Sequence, residues 1–273
     1  MYSLASILQG TSISAAITAV KDKIKACPAD ADLRAAFVQF LCLDGNWQYT
    51  HSQLKIWQAL KPAAQSTTQK LIQSVSAEMQ RQKVFAGEIA PRRLRQDQVW
   101  LQQMVQALHH DAHGDAALAQ TLRDEALEAA AVSAGRLTIA DNEQEKALRF
   151  EWLIDGDSRL GPVCELILNG IYYWLPFDDI VEIQFQAPQS AFDLVWSHAQ
   201  VRLKDGDAQV CHLPARYPLH ACSNDALLLG RRTEWKALGG TEHYMGLGLK
   251  TWFSDDNELP FHSLRHLNFD VDR

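Results

Sequence analysis

The chain has 273 residues, 47% hydrophobic and 22% charged, which is enough to bury a full core and long enough to favour two domains. Its net charge of −7 speaks against a general nucleic-acid binder, whose phosphate contacts need a basic face, and against docking on anionic lipid. The opening MYSLASILQGTSISAA has no basic stretch leading into a long apolar one, so no signal peptide is expected. No apolar run approaches the roughly 18 residues that cross a bilayer.

Residues 1–150 hold only three of the nine prolines and five of the fourteen glycines, placed between periodic, Ala- and Gln-rich segments, which is helical composition. The spacing predicts helices at 12–26, 30–44, 47–60, 66–85, 97–110 and 114–134. Asp30 is the expected N-cap of the second, whose Leu33, Phe37, Phe40 and Leu41 recur at helical spacing, and Gly45 its left-handed C-cap. Trp47, Leu54 and Trp57 continue an apolar face on the third helix, which Pro62 stops. Helix, Gly turn, helix, then Pro is the spacing of one tetratricopeptide-like repeat; without a second clear copy, it predicts a small stack of helical hairpins. His109 and His113, four apart at a helix end, are able to face one metal. The glutamate of an HExxH motif is absent, however, and Gly114 ends the helix, so the favourable helix dipole is the preferred account.

The remaining residues carry five of the eight tryptophans and most of the prolines and glycines in short alternating runs, which is strand-and-turn composition. The expected boundary lies near Glu143–Arg149, giving a helical repeat-like domain at 1–146 and a β-rich domain at 147–273. Strands are predicted at 147–154, 163–168, 171–175, 180–186, 199–204, 208–213 and 243–252, with a short helix within Asn224–Arg232. Asn169-Gly170 joins Val163–Leu168 to Ile171–Leu175 as a hairpin, and Asp205-Gly206 is a second type I′ signal. The fold class is therefore α+β, with helical hairpins followed by a mostly antiparallel β-rich part.

Chemistry-bearing groups are sparse. Asp155, Asp157, Glu165, Asp178 and Asp179 form an acidic set that suits turns and salt bridges better than a cation comb. Glu165 sits inside an apolar strand, so it faces solvent or pairs with a buried base, with Arg159, Arg216 and Arg231 as candidates. The run Gly246-Leu247-Gly248-Leu249-Lys250-Thr251 fails the phosphate-loop pattern because Leu249 stands where Gly must precede Lys. Cys211 and His212 are adjacent in a strand and point to opposite faces, so they are no catalytic pair. The five scattered cysteines fit buried free thiols in a reducing cytoplasm. Trp152, Trp174, Trp196, Trp235 and Trp252 are expected mostly in the core, with Arg231-Arg232 beside Trp235 the best surface candidate. No catalytic residue, metal site or cofactor is assigned.

RLGPVCELILNG (Arg159–Gly170), YYWLPF (to Phe177), LPARYP (Leu213–Pro218) and LGRRTEW (Leu229–Trp235) together resemble the ImpE/SciE/TagJ family. The RQKVFAGEIAP junction and the repeat-like Leu33–Leu60 do so less specifically. The motif residues carrying the resemblance are Arg159, Gly161, Pro162, Glu165, Asn169, Gly170, Trp174, Pro176, Phe177, Arg216, Tyr217, Arg231 and Trp235. After Pro218, a small Gly/Ser turn is expected and the chain instead has Leu219-His220-Ala221-Cys222-Ser223. The resemblance implies a non-enzymatic, cytoplasmic accessory protein of bacterial type VI secretion. Its implied partners are the N-terminal helix of the small sheath subunit (TssB-like) and a ClpV-type AAA+ ATPase that recycles contracted sheath. The expected binding site is a groove lined by the second to fourth helices, framed by Phe37, Leu41, Trp47, Leu54 and Trp57. The rivals are a metal-dependent hydrolytic enzyme built on the acidic loops and a structural oligomerisation module.

Overall fold

A computed structural model describes residues 12–95, 98–141, 144–220, 224–239 and 242–270. The first half folds as α1 (Ile13–Ala26), α2 (Ala31–Asp44), α3 (Trp47–Leu60), α4 (Gln65–Phe85), α5 (Val99–Ala112) and α6 (Ala116–Ala129). Consecutive helices from α1 to α4 pack pairwise, as do α5 and α6, in the tetratricopeptide-like manner. The punctuation acts as the sequence dictates. The Asp30 carboxylate accepts the Asp32 and Leu33 N–H groups, and Gly45 takes φ 74° to close α2. None of the described helices is long and apolar enough to cross a membrane.

The strands are β1 (Arg92–Arg93), β2 (Gly135–Asp141), β3 (Gln144–Phe150), β4 (Ile154–Asp155), β5 (Val163–Leu168), β6 (Ile171–Pro176) and β7 (Ile180–Phe185). They continue as β8 (Trp196–Leu203), β9 (Ala208–Pro214), β10 (Thr233–Ala237), β11 (Tyr244–Gly248), β12 (Thr251–Ser254), β13 (Asn257–Pro260) and β14 (Leu264–Phe269). A nine-stranded sheet runs β1-β6-β5-β9-β8-β7-β14-β2-β3, antiparallel except where β1 joins β6. Two small sheets, β10-β11 and β13-β12-β4, complete the α+β architecture, with a one-turn α7 (Asp225–Leu228) between.

Five expectations need correction. The strand predicted at 147–154 is two, since β3 ends at Phe150 and β4 holds only Ile154–Asp155. The helix predicted to reach 134 stops at Ala129, because Ala130 is extended and β2 then pairs with β14 and β3. The Ala-rich end of the run carries helical composition past the true stop, and the strand Gly135–Asp141, with apolar alternation only at Leu137 and Ile139, has no counterpart among the expected strands. The single strand predicted at 243–252 breaks at Gly248, whose φ of 84° turns the chain from β11 to β12. The Asp205-Gly206 hairpin exists but is not type I′: Gly206 has φ 93° while Asp205 is not left-handed, and the Gly206 N–H bonds Leu203 O. Cys27 is exposed, whereas Cys42, Cys164 and Cys211 are buried free thiols; Cys222 and the rest of 221–223 lie outside the described residues.

The sheet has an apolar core on each face. Strand alternation sends Val163 and Ile167 of β5, with Tyr172, Trp174 and Trp196, towards the helices, where they join Phe37, Leu54 and Val75. Cys164 and Leu166 point the other way, into a second core where Phe177, Phe185, Trp252 and Phe261 stack edge to face at 5.0–6.1 Å. One core is therefore shared by the helical stack and the sheet. The Asn169-Gly170 turn has φ 51° and 81°, the pair of left-handed residues a type I′ turn needs. Gly170→Ala has room, since its Cβ would lie 3.5 Å from Gln73, so only the backbone is strained. The expected loss is about 1–2 kcal/mol in urea unfolding, and an unchanged midpoint would show that this turn does not set the register.

Candidate functional site

Helix α4 packs against the sheet, with a buried polar cluster on its inner face and an open hollow along its outer one. On the inner face, Glu78 and Arg81 are one turn apart and nearly inaccessible. The Arg81 guanidinium donates from Nε and Nη2 to the two carboxylate oxygens of Glu165 at 2.6 and 2.8 Å, and from Nη2 to Arg216 O at 3.0 Å. Lys250 Nζ lies 2.5 Å from Glu165 Oε2 and 2.7 Å from Asp155 Oδ2. Tyr172 Oη donates to Glu165 Oε1 at 2.5 Å and accepts from Trp174 Nε1 at 2.7 Å, while Trp196 Nε1 donates to Glu78 at 3.0 Å. Every member is at most 4% exposed, so the cluster is a buried, multiply bonded charge network.

Glu165 is thus paired with a buried base, but the bases are Arg81 and Lys250 rather than Arg159, Arg216 or Arg231. Arg159 instead clamps Asp157 at 2.9 and 2.6 Å and lies 4.7 Å over the Phe85 ring. Arg216 reaches back to the end of α2, donating to Leu43 O at 2.8 Å and Cys42 O at 3.1 Å, and also to Leu228 O. It thereby caps the Leu43 carbonyl at the helix end and shares Cys42 O with the Gly45 N–H. Arg231 lies on the surface after α7. Two signals pointed to the true partners: Arg81 heads the RQKVFAGEIAP junction, and Lys250, like Glu165, is a lone charge in an apolar alternating run.

The remaining motif residues are mostly structural. Gly161 has φ 54°, Pro162 O accepts the Phe177 N–H at 3.0 Å, and Pro176 pairs with Val163. Gly170 O accepts from Gln80 Nε2 at 2.9 Å, which docks the Asn169-Gly170 turn on α4. Tyr217 bridges to Thr251, its hydroxyl donating to the carbonyl at 2.8 Å and accepting from the amide at 3.1 Å. Trp235 is 37% exposed, resting against Tyr217 and Phe253. In the acidic set, Asp155 and Asp157 are engaged as above, and Asp178 pairs with Lys204 at 2.7 Å. No three His, Cys, Asp or Glu side chains converge on a metal-sized point among the described residues. Cys211 faces the second core, while His212 faces α4, its Nδ1 2.7 Å from Ser74 Oγ; burial pushes its pKa down to about 4.

On its outer side α4 borders an open hollow lined by Gly45, Asn46, Trp47, Gln48, Met79, Gln82, Lys83, Ala86 and Glu88. Met79, Gln82, Lys83 and Ala86 follow helical spacing along one stripe. A narrower cleft continues inward from Trp47 and Gln82 to Glu78, Arg81 and Arg216. The proposed groove framework, Phe37, Leu41, Trp47, Leu54 and Trp57, is buried at 8% exposure or less. These side chains form the floor and core, and the contactable surface belongs to the stripe just named.

Burial alone would raise the Glu165 pKa, but Arg81 and Lys250 outweigh it and hold the carboxyl at about 2. Burial also dominates at Asp155, which is pushed up to about 6 with Lys250 only partly opposing. The signs follow from linkage. Glu165 has a depressed folded pKa, so its contribution is present above 4.5 and lost as pH falls towards 2. Asp155 has a raised one, so its ionised form penalises the fold above pH 6, and acidification towards 3.8 relieves that penalty. Wild type should therefore gain stability over Asp155→Asn between pH 7 and about 4.5 in denaturant unfolding; a constant gap would contradict the assignment. Arg81→Met strands a buried carboxylate and should cost about 3–5 kcal/mol at pH 7.

Residues 147–268 match the family described as ImpE protein. The chain is 35% identical to the type VI secretion system accessory component TagJ of Pseudomonas aeruginosa, over 97% of this chain and 90% of that protein. The crystal structure of protein VPA1032 from Vibrio parahaemolyticus superposes with a TM-score of 0.85 at 27% identity, covering 95% of this chain and 94% of the other. The chain belongs to the ImpE/TagJ family of type VI secretion accessory proteins.

Proposed function

We propose that this protein is a non-enzymatic adaptor of a type VI secretion system, working in the cytoplasm. It captures a helical segment of the small, TssB-like sheath subunit and assists recycling of contracted sheath by a ClpV-type AAA+ ATPase. The observation that carries the reading is the α4 stripe Met79, Gln82, Lys83 and Ala86 beside Trp47, which borders an open hollow in a chain of accessory-component ancestry. A hollow bordered by helix presents its contacts at i, i+3, i+4 and i+7, the repeat with which an amphipathic helix engages. The acidic loops favour the adaptor over a metal-dependent hydrolase, because Asp155, Asp157 and Asp178 are each held by a basic side chain.

The test is a fluorescence-anisotropy titration against a labelled N-terminal peptide of the cognate small sheath subunit, with a scrambled peptide as control. Saturable binding with Kd near about 1 μM, roughly −8 kcal/mol, is expected. Gln82→Glu combined with Lys83→Glu alters two exposed side chains and should weaken binding at least roughly tenfold, about 1.4 kcal/mol, without changing the melting temperature. Trp235→Ala, on the separate aromatic surface, should leave it unchanged. Loss through Trp235 alone would move the site to the sheet, and indifference to both changes would sink the groove.

A further inference from the structure

Helix α5 ends in His109-His110-Asp111-Ala112 with His113 as its C-cap, and His109 and His113, four residues apart, are about one helical turn from each other. Their rings stand 4.1 Å apart between centroids with planes inclined by 41°. Each ring commits the same nitrogen to a backbone carbonyl: His109 Nδ1 to Gly87 O at 3.0 Å, and His113 Nδ1 to His109 O at 2.8 Å. A carbonyl oxygen only accepts, so both Nδ1 atoms carry hydrogen, and in the neutral imidazoles both Nε2 atoms keep a lone pair. That is the tautomer of metal-bound histidine, whose second nitrogen donates to an oxygen that fixes the ring.

The support is rigid. Gly87 has φ 69°, and a Cβ there would lie 2.8 Å from the Ala112 methyl, so the turn after α4 is pressed against the last turn of α5. The helix C-terminus adds the negative end of its dipole, which favours a cation. Both imidazoles are exposed, so entry is open. His110 is turned away, its Nδ1 3.6 Å from Asp115. The molecule offers its own contrast in His198 and His212. There His212 Nδ1 is taken by Ser74, and its Nε2 lies 3.1 Å from both ring nitrogens of His198, so it faces the ring and not a lone pair.

We propose that His109 and His113 bind one borderline divalent transition metal, Zn2+ in the first instance. Both Nε2 atoms coordinate it, at the roughly 2.0–2.1 Å usual for zinc and imidazole, and water fills the other positions. Two protein ligands make the site an exchangeable one, consistent with the absence of a third converging His, Cys, Asp or Glu among the described residues. The site adjoins the proposed peptide hollow, since Gly87 lies between its lining residues Ala86 and Glu88, but neither histidine lines that hollow.

The probe is ZnCl2 titrated calorimetrically into the full chain, with MgCl2 as the hard-cation control. One Zn2+ per chain is expected and no Mg2+. His113→Gln and His109→Gln should each weaken binding at least roughly tenfold, while His198→Gln leaves it unchanged. Nitrogen-15 spectra of the imidazoles should show the Nε2 resonances of His109 and His113 moving with Zn2+, a readout that structural damage does not mimic. Absence of Zn2+ heat, retention of affinity in both variants, or loss through His198→Gln would each overturn the assignment.

Discussion

Glu165 leaves water entirely on folding, and the desolvation of its charge is offset only when a guanidinium from α4 and the Lys250 ammonium arrive together. The other partners are placed by the same event. Arg81 gives its second Nη2 hydrogen to the Arg216 carbonyl and turns Nη1 to Glu78, and Arg216 in turn serves the last carbonyls of α2. Lys250 brings Asp155, and with it the short strand β4, against the same point. A one-residue slip of β5 would carry Glu165 to the opposite face, into a core of Leu166, Leu175 and Phe177 with no base to meet it. A wrong register therefore carries the cost of an unpaired buried charge, which the right one avoids.

The consequence for the surface is mechanical. Glu78 and Arg81 fasten the inner side of α4 to the sheet, so Met79, Gln82, Lys83 and Ala86 are presented on a helix that cannot roll. Trp47, buried against Trp196 at 5.6 Å, ties the floor of the hollow to β8 in the same way. A partner helix docking here would meet an ordered surface and avoid the entropy of arranging one.

Local chemistry made much of this legible in sequence. Asp30, Gly45 and Asn169-Gly170 act through their own backbone preferences, so the helix limits and the β5–β6 hairpin could be read directly. The misses have a common cause in long-range pairing. Strand β2 is held by β14, more than a hundred residues away, and Glu165 by Arg81 and Lys250, each more than eighty. Neither separation leaves a local signature, apart from a lone charge in an apolar run. The tryptophan expectation divided on the same line. Trp174, Trp196 and Trp252 are buried, whereas Trp235, on the two-stranded sheet, has nothing covering one side.

The motif words by which the family is recognised also acquire a physical meaning. Arg159, Glu165, Trp174, Arg216 and Tyr217 all lie at the seam between helices and sheet, where each satisfies a buried polar group or fills the space beside one. Such residues identify a fold and its internal geometry; they have little surface with which to recognise a partner. Less distinctive, exposed positions such as those along the outer side of α4 have the surface that these residues lack. Among the motif words from Arg159 to Trp235, exposed residues occur only at Asn169 in the β5–β6 turn and within Arg231–Trp235. Comparing substitutions there with those on α4 separates a binding surface from a structural one.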